Sequence, residues 1–168
     1  LLTAQTLIGN WGTLLLPVNA DNSFDYSRLS NEIDYLIGAG LDGIYSNGTA
    51  GELHNQTETE FDQIQELLAL KCHKAGVPFQ IGASHPFPII TLQRIKRTVS
   101  LQPDAFQVIL PDWVSANQRE MIIFLSEIAK AACGIPLVLY NPPHSKVILK
   151  PIDYDFLIKE IPQLVGIK

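Results

Sequence analysis

Three short stretches of this chain carry residue types that together can do carbonyl chemistry. Lys168 closes the apolar segment Leu164-Val165-Gly166-Ile167-Lys168. An amine at the end of a buried strand is poorly hydrated, which favours its neutral form. A neutral lysine amine attacks ketones and aldehydes to form Schiff bases. Tyr140 closes Leu137-Val138-Leu139-Tyr140 and is followed by Asn141-Pro142-Pro143, so a phenol that donates and accepts protons stands before a turn forced by two prolines. The third stretch, Tyr45-Ser46-Asn47-Gly48-Thr49-Ala50-Gly51-Glu52, puts a hydroxyl and accessible backbone amides after another strand, a pattern suited to a carboxylate. Each feature also has a plain structural reading. A terminal lysine can snorkel outward, a tyrosine can fill a core, and Gly48 and Gly51 can simply form a tight turn.

The elements that would position these groups alternate along the whole sequence. Apolar, strand-like runs fall at 12–18, 43–46, 78–82, 105–110, 136–140 and 164–168, spaced by about 30 residues, the length of one βα unit. Helical periodicity lies between them. The first helix is expected from near Tyr26 to Ala39 on Leu29, Ile33, Leu36 and Ile37, stopping at Gly40. The second opens on the capping-box pattern Thr57-Glu58-Thr59-Glu60 and carries Phe61, Ile64, Leu67 and Leu68. The third carries Leu92, Ile95 and Val99. The fourth follows an Asn117 cap with Met121, Phe124, Leu125 and Ile128, and a short fifth carries Tyr154, Leu157 and Ile158.

Continuous apolar strands each followed by a helix predict a parallel α/β fold, either an open doubly wound sheet or a (β/α)8 barrel. The first strand leads into Leu16-Pro17-Val18-Asn19 and not into a dinucleotide-binding glycine fingerprint. The reactive residues sit at the ends of several different strands, where barrels build their active sites. The expectation is therefore a single (β/α)8 TIM barrel domain of which residues 1–168 form the N-terminal part, strands one to six. An arc of six strands would leave long apolar edges, so the polypeptide is expected to continue beyond Lys168.

The ordered set Gly48-Thr49-Ala50-Gly51-Glu52, Tyr140-Asn141-Pro142-Pro143 and Gly166-Ile167-Lys168 resembles the dihydrodipicolinate synthase / N-acetylneuraminate lyase family. Its members are pyruvate-dependent class I aldolases and related lyases on a (β/α)8 barrel. The resemblance implies that Lys168 is the Schiff-base lysine, that Tyr140 shuttles protons, and that Thr49 hydrogen-bonds this tyrosine and helps bind the substrate carboxylate. Gly48 and Ala50 would complete the carboxylate site, with Ala50 at a position that is often a second threonine. It also implies a homo-oligomer, a tetramer or dimer, and chemistry that needs no cofactor. Two positions depart from the synthase branch. Pro111-Asp112-Trp113 stands where that branch places a relay tyrosine, and Ser145, beside Lys146, stands where it places an arginine for its second substrate. An indole does not relay protons as a phenol does, and lysine lacks arginine's bidentate fork. Trp113 and Ser145 are read as pocket-wall or interface positions. The leading reading is a lyase, aldolase or dehydratase, acting on pyruvate or a 2-keto sugar acid. The alternatives are the synthase reaction, in which pyruvate condenses with an amino aldehyde, and a non-catalytic keto-acid-binding barrel.

Bulk properties narrow the field. The net charge of −5 without a basic cluster argues against nucleic acid and anionic membrane surfaces as partners. No apolar run approaches the roughly 18 residues of a membrane helix, and the expected location is the cytoplasm. Cys72 and Cys133 read as two buried, reduced thiols. His54, His73, His85 and His144 lack ligand spacing, so no metal site is expected. His85 and His144 follow strands and are candidates only for the rim of a pocket, and Glu52 reads as an N-terminal helix residue or a structural anchor rather than a catalytic base.

Overall fold

The computed structural model describes residues 1–168. Its elements run β1 (Trp11–Thr13), α1 (Tyr26–Gly38), β2 (Gly43–Tyr45), α2 (Glu58–Ala75), β3 (Phe79–Gly82), α3 (Pro88–Thr98), β4 (Ala105–Val108), α4 (Gln118–Ala131), β5 (Leu137–Leu139), α5 (Pro151–Glu160) and β6 (Leu164–Ile167). Backbone packing divides them into two units, Ile8–Gly82 and Leu1–Leu7 with Ala83–Lys168.

In the unit 8–82, β1 pairs parallel with β2 (Thr13 opposite Tyr45), and β2 pairs parallel with β3 (Tyr45 opposite Gln80). Helices α1 and α2 pack together, and α2 packs on β3. Leu29 and Ile33 of α1 and Phe61, Ile64 and Leu68 of α2 are buried, as is Ile44 of β2. The expected capping box at Thr57 forms, with Glu60 N donating to Thr57 Oγ1 at 3.2 Å and Thr57 N to Glu60 Oε2 at 2.8 Å. β1 is shorter than the apolar run 12–18 suggests. Leu15 N donates to Glu32 Oε1 on α1 at 2.8 Å, Pro17 has no N–H to offer, and Val18 turns back to bridge Phe24 in antiparallel fashion.

In the other unit, β4 pairs parallel with β5 and β5 with β6. The N-terminal turn joins this unit through Leu2 N, which donates to Asp104 O at 3.3 Å. Met121, Phe124, Leu125 and Ile128 of α4 are all buried, as their spacing predicts. Asn117 caps this helix reciprocally with Glu120, the two bonds measuring 3.1 and 2.8 Å. In α5, Leu157 is buried while Ile158 is 45% exposed. Two departures concern polarity. Arg94 of α3 is buried and donates from Nη1 to Ser84 O at 2.7 Å. Cys133, expected inside, is exposed just after α4, where it takes a left-handed φ of 50°, so only Cys72 is a buried thiol.

Candidate active site

Lys168 and Tyr140 are brought together. Lys168 N donates to Leu139 O at 2.9 Å, and Asn141 N donates to Lys168 O at 3.1 Å, so the chain after β5 and the end of β6 are laced backbone to backbone. The Lys168 ammonium nitrogen lies 4.4 Å from the centroid of the Tyr140 ring, a cation–π distance. A register shift makes this possible. Leu137 faces Leu164, but Val138 faces Gly166, so Val165 is an extra residue on β6. Side chains alternate along a strand, and one extra residue reverses which face the later ones occupy. Two residues beyond the Val138–Gly166 pair, Tyr140 and Lys168 therefore fall on the same face at the same level. Without the shift Tyr140 would face Ile167, and Lys168 would point the other way.

Gly166 lies directly under the Leu7 side chain. A Cβ there would collide with Leu7 Cδ2, so the N-terminal turn packs against the layer of β6 below the lysine. Lys168 directly follows β6.

The loops around this pair are tied down by the side chains of Asn141 and Asp112. Asn141 Nδ2 donates to Val147 O at 2.8 Å, and Asn141 Oδ1 accepts from Leu149 N at 2.9 Å. Asp112 Oδ1 accepts from Lys146 N at 2.7 Å, clamping the loop after β4 to the loop after β5. Ser145 is half-buried in that second loop and closes its turn by donating its N–H to Pro142 O at 2.9 Å. Trp113 is 73% exposed. An apolar cavity of about 490 Å³ opens between α3 and α4, bordered by Pro88, Leu92, Pro111, Val114 and Ile123 with Glu120 and Glu127. Neither Trp113 nor the Lys168–Tyr140 pair lines it. An asparagine directly after a strand and before prolines is the sequence signal that would have picked out Asn141.

In the unit 8–82, Gly48, Thr49 and Ala50 form the turn that follows β2. Gly48 is buried, whereas Thr49 and Ala50 are exposed. Gly51 N donates to Gly48 O at 3.0 Å and Glu52 N to Thr49 O at 3.3 Å. The Gly51 amide, expected to be available for an anion, is thus committed to the turn. Glu52 lies in the turn before α2 and not in a helix, and its Oε2 accepts from Asn55 Nδ2 at 3.1 Å. Below the turn, Thr13 and Tyr45 share a hydroxyl–hydroxyl hydrogen bond between paired strand positions.

The histidines take structural or surface places. His85 Nδ1 accepts from Phe87 N at 3.0 Å, His73 meets Phe79 edge to face, and His54 and His144 are exposed. No group of three or more His, Cys, Asp or Glu side chains could hold a metal ion, and no helix is long and apolar enough to cross a membrane.

The sequence model of the Dihydrodipicolinate synthetase family matches residues 7–168. A 4-hydroxy-tetrahydrodipicolinate synthase of Neisseria meningitidis serogroup C is 30% identical over 163 residues, 96% of this chain and 55% of that protein. The protein of the same name from Staphylococcus carnosus is 27% identical over 157 residues, 94% of this chain and 53% of its own. Among solved structures, the Clostridium difficile protein CdNal, determined with mannosamine, superposes with a TM-score of 0.88 at 18% identity, over 96% of this chain and 54% of that one. YagE, a prophage protein of E. coli K12 determined with pyruvate, superposes with a TM-score of 0.88 at 24% identity over 96% and 54%. The chain spans about half the length of the curated relatives it matches. Its six parallel strands with alternating helices are a partial (β/α)8 barrel, and with the family's sequence pattern running over residues 7–168, the chain belongs to the dihydrodipicolinate synthetase family.

Proposed function

We propose that the intact polypeptide is a Schiff-base lyase, an aldolase or dehydratase acting on pyruvate or a 2-keto sugar acid. The observation that carries this reading is the Lys168 nitrogen 4.4 Å from the Tyr140 ring at adjoining strand ends. In this reading the deprotonated amine of Lys168 attacks C2 of the keto acid, and the former carbonyl oxygen takes up a proton. Tyr140 delivers the proton on which the carbinolamine hydroxyl leaves as water, giving an iminium. Loss of a proton from C3 produces an enamine. The enamine then adds to the carbonyl carbon of an aldehyde, or in the reverse direction is released by aldol cleavage. Where the substrate carries a hydroxyl on the carbon beyond, the enamine expels it as water. Hydrolysis of the iminium returns the lysine. Thr49, with Gly48 and Ala50, is assigned to the substrate carboxylate, since backbone amides in a tight turn bind anions well. None of these steps calls for a metal or a dissociable cofactor.

Two relatives bear the name of a 4-hydroxy-tetrahydrodipicolinate synthase, which supports that reaction as the second reading. Trp113 and Ser145 weigh against it, because neither side chain can replace a relay phenol or a bidentate guanidinium. A homo-oligomer in the cytoplasm, tetramer or dimer, completes the proposal. The exposed apolar side chains of Trp113, Val114 and Ile123 support association with another protein surface.

Borohydride reduction of the intact protein with pyruvate, followed by peptide mapping and mass spectrometry, tests the chemistry. A reduced pyruvyl adduct on Lys168 is expected. An adduct on another lysine, or none with pyruvate and with longer 2-keto acids, would overturn the proposal.

A further inference from the structure

The turn that carries Thr49 is held by two side chains with no role in the chemistry above. Asn47 directly precedes it, 1% exposed and in the left-handed region at a φ of 52°. Asparagine tolerates that conformation better than most residues because its short amide can bond locally. Here the amide bonds in two directions. Asn47 Nδ2 donates to Gly82 O at the end of β3, at 3.1 Å, and Asn47 Oδ1 accepts from Gln56 Nε2 at 3.1 Å. The same Gln56 Nε2 donates to Glu52 O, at the far end of the turn, at 3.2 Å. Asn47 and Gln56 thus clasp both ends of the segment that presents Gly48, Thr49 and Ala50, and anchor it to a strand end.

The surrounding backbone is shaped to match. A Cβ on Gly51 would lie 2.9 Å from Leu14 O and 3.2 Å from Asn47 N, and one on Gly82 would lie 2.8 Å from Asn47 Cβ. The 2.9 and 2.8 Å contacts are shorter than packed atoms tolerate, so two glycines make room for the turn to seat against the ends of β1 and β3.

We propose that Asn47 and Gln56 are a positioning pair that sets the Gly48–Ala50 turn for the substrate carboxylate. Neither touches substrate. They fix the backbone that does, which is where pre-organisation of a binding site is won or lost. This inference rests on the keto-acid reading proposed above.

The test compares two ketones on the intact protein, pyruvate and acetone, by borohydride trapping. Acetone offers the lysine the same carbonyl but no carboxylate. Gln56→Ala and Asn47→Gly, the latter keeping the left-handed turn accessible, are each expected to raise the half-saturating pyruvate concentration by about tenfold. Acetone trapping should stay within about twofold of the unsubstituted protein, because acetone has no carboxylate for the turn to hold. The double variant should be no worse than the more damaged single one, since both act through one clasp. Equal losses for the two ketones would mean a general disturbance of the lysine and would overturn the inference. So would unchanged pyruvate saturation in both variants. If Asn47→Gly does not fold, Gln56→Ala alone decides. Failure of the unsubstituted protein to trap any 2-keto acid would instead refute the keto-acid reading itself.

Discussion

Replacing Tyr140 by phenylalanine separates two things the structure joins at one ring. The Lys168 nitrogen stands 4.4 Å from the Tyr140 ring centroid, and phenylalanine keeps the ring while removing the hydroxyl. The cation–π contact is worth about 0.5–2 kcal/mol, which is roughly two- to thirtyfold in any rate or affinity that depends on it. Proton transfer by a placed side chain is worth about 10²–10⁴-fold, or about 2.7–5.4 kcal/mol of barrier. The larger effect belongs to the hydroxyl, so Tyr140→Phe is expected to slow imine formation by at least about a hundredfold. Tyr140→Leu should cost no more than about a further thirtyfold. The assay is rapid-quench borohydride trapping of the intact protein at saturating pyruvate, with exchange of the pyruvate methyl protons into deuterated water as a second readout of the enamine. A Tyr140→Phe variant that traps pyruvate within threefold of the unsubstituted rate, with Tyr140→Leu severely impaired, would refute the argument. The ring would then matter and the phenol would not.

Two predictions concern stability. Asn117→Ala removes the side-chain half of the α4 capping box and is expected to cost about 1 kcal/mol, read as a lower denaturant midpoint at unchanged m-value. Substituting Asn117 with glycine should recover most of it. Glu32 accepts from Leu15 N at 2.8 Å, yet partial burial raises its carboxyl pKa above the ordinary glutamate value, the hydrogen bond opposing that rise. A raised folded-state pKa contributes stability that is fully present below the unfolded value and is lost as pH climbs through the folded one. Glu32→Gln keeps an acceptor for Leu15 and cannot ionise. It should therefore flatten the fall in thermal midpoint between pH 4 and neutrality, and identical pH profiles for the two proteins would contradict that assignment.

Local interactions were legible in the chain itself. The capping boxes at Thr57 and Asn117 are built from residues three apart, and helix geometry places such neighbours together whatever the rest of the molecule does. The apolar periodicities of α1, α2 and α4 likewise announced Leu29, Ile33, Phe61, Ile64, Met121 and Leu125 as core. So did the alternation of strands and helices, and the strand-end positions of Thr49, Tyr140 and Lys168 follow from it directly. The family pattern was visible for the same reason, as its motifs are short runs at those strand ends.

What long-range contacts decide was not legible. β1 ends at Thr13, and beyond it Leu15 N donates to Glu32 of the next helix while Val18 turns back to bridge Phe24, long-range contacts of which an apolar run carries no trace. Arg94 and Gln65 lie on helix positions where a polar side chain reads as solvent-facing. They are buried because Ser84 O and Ser46 Oγ wait for them inside. Asn47 looked like an ordinary turn residue until Gly82 and Gln56 were placed on either side of its amide. The sequence by itself therefore determined which groups could do chemistry and that each would stand at the end of a strand. Only the tertiary structure decided that Lys168 meets Tyr140, because their common face depends on one extra residue in the pairing of β5 with β6. Strand register is a property of two segments at once, and neither segment encodes it alone.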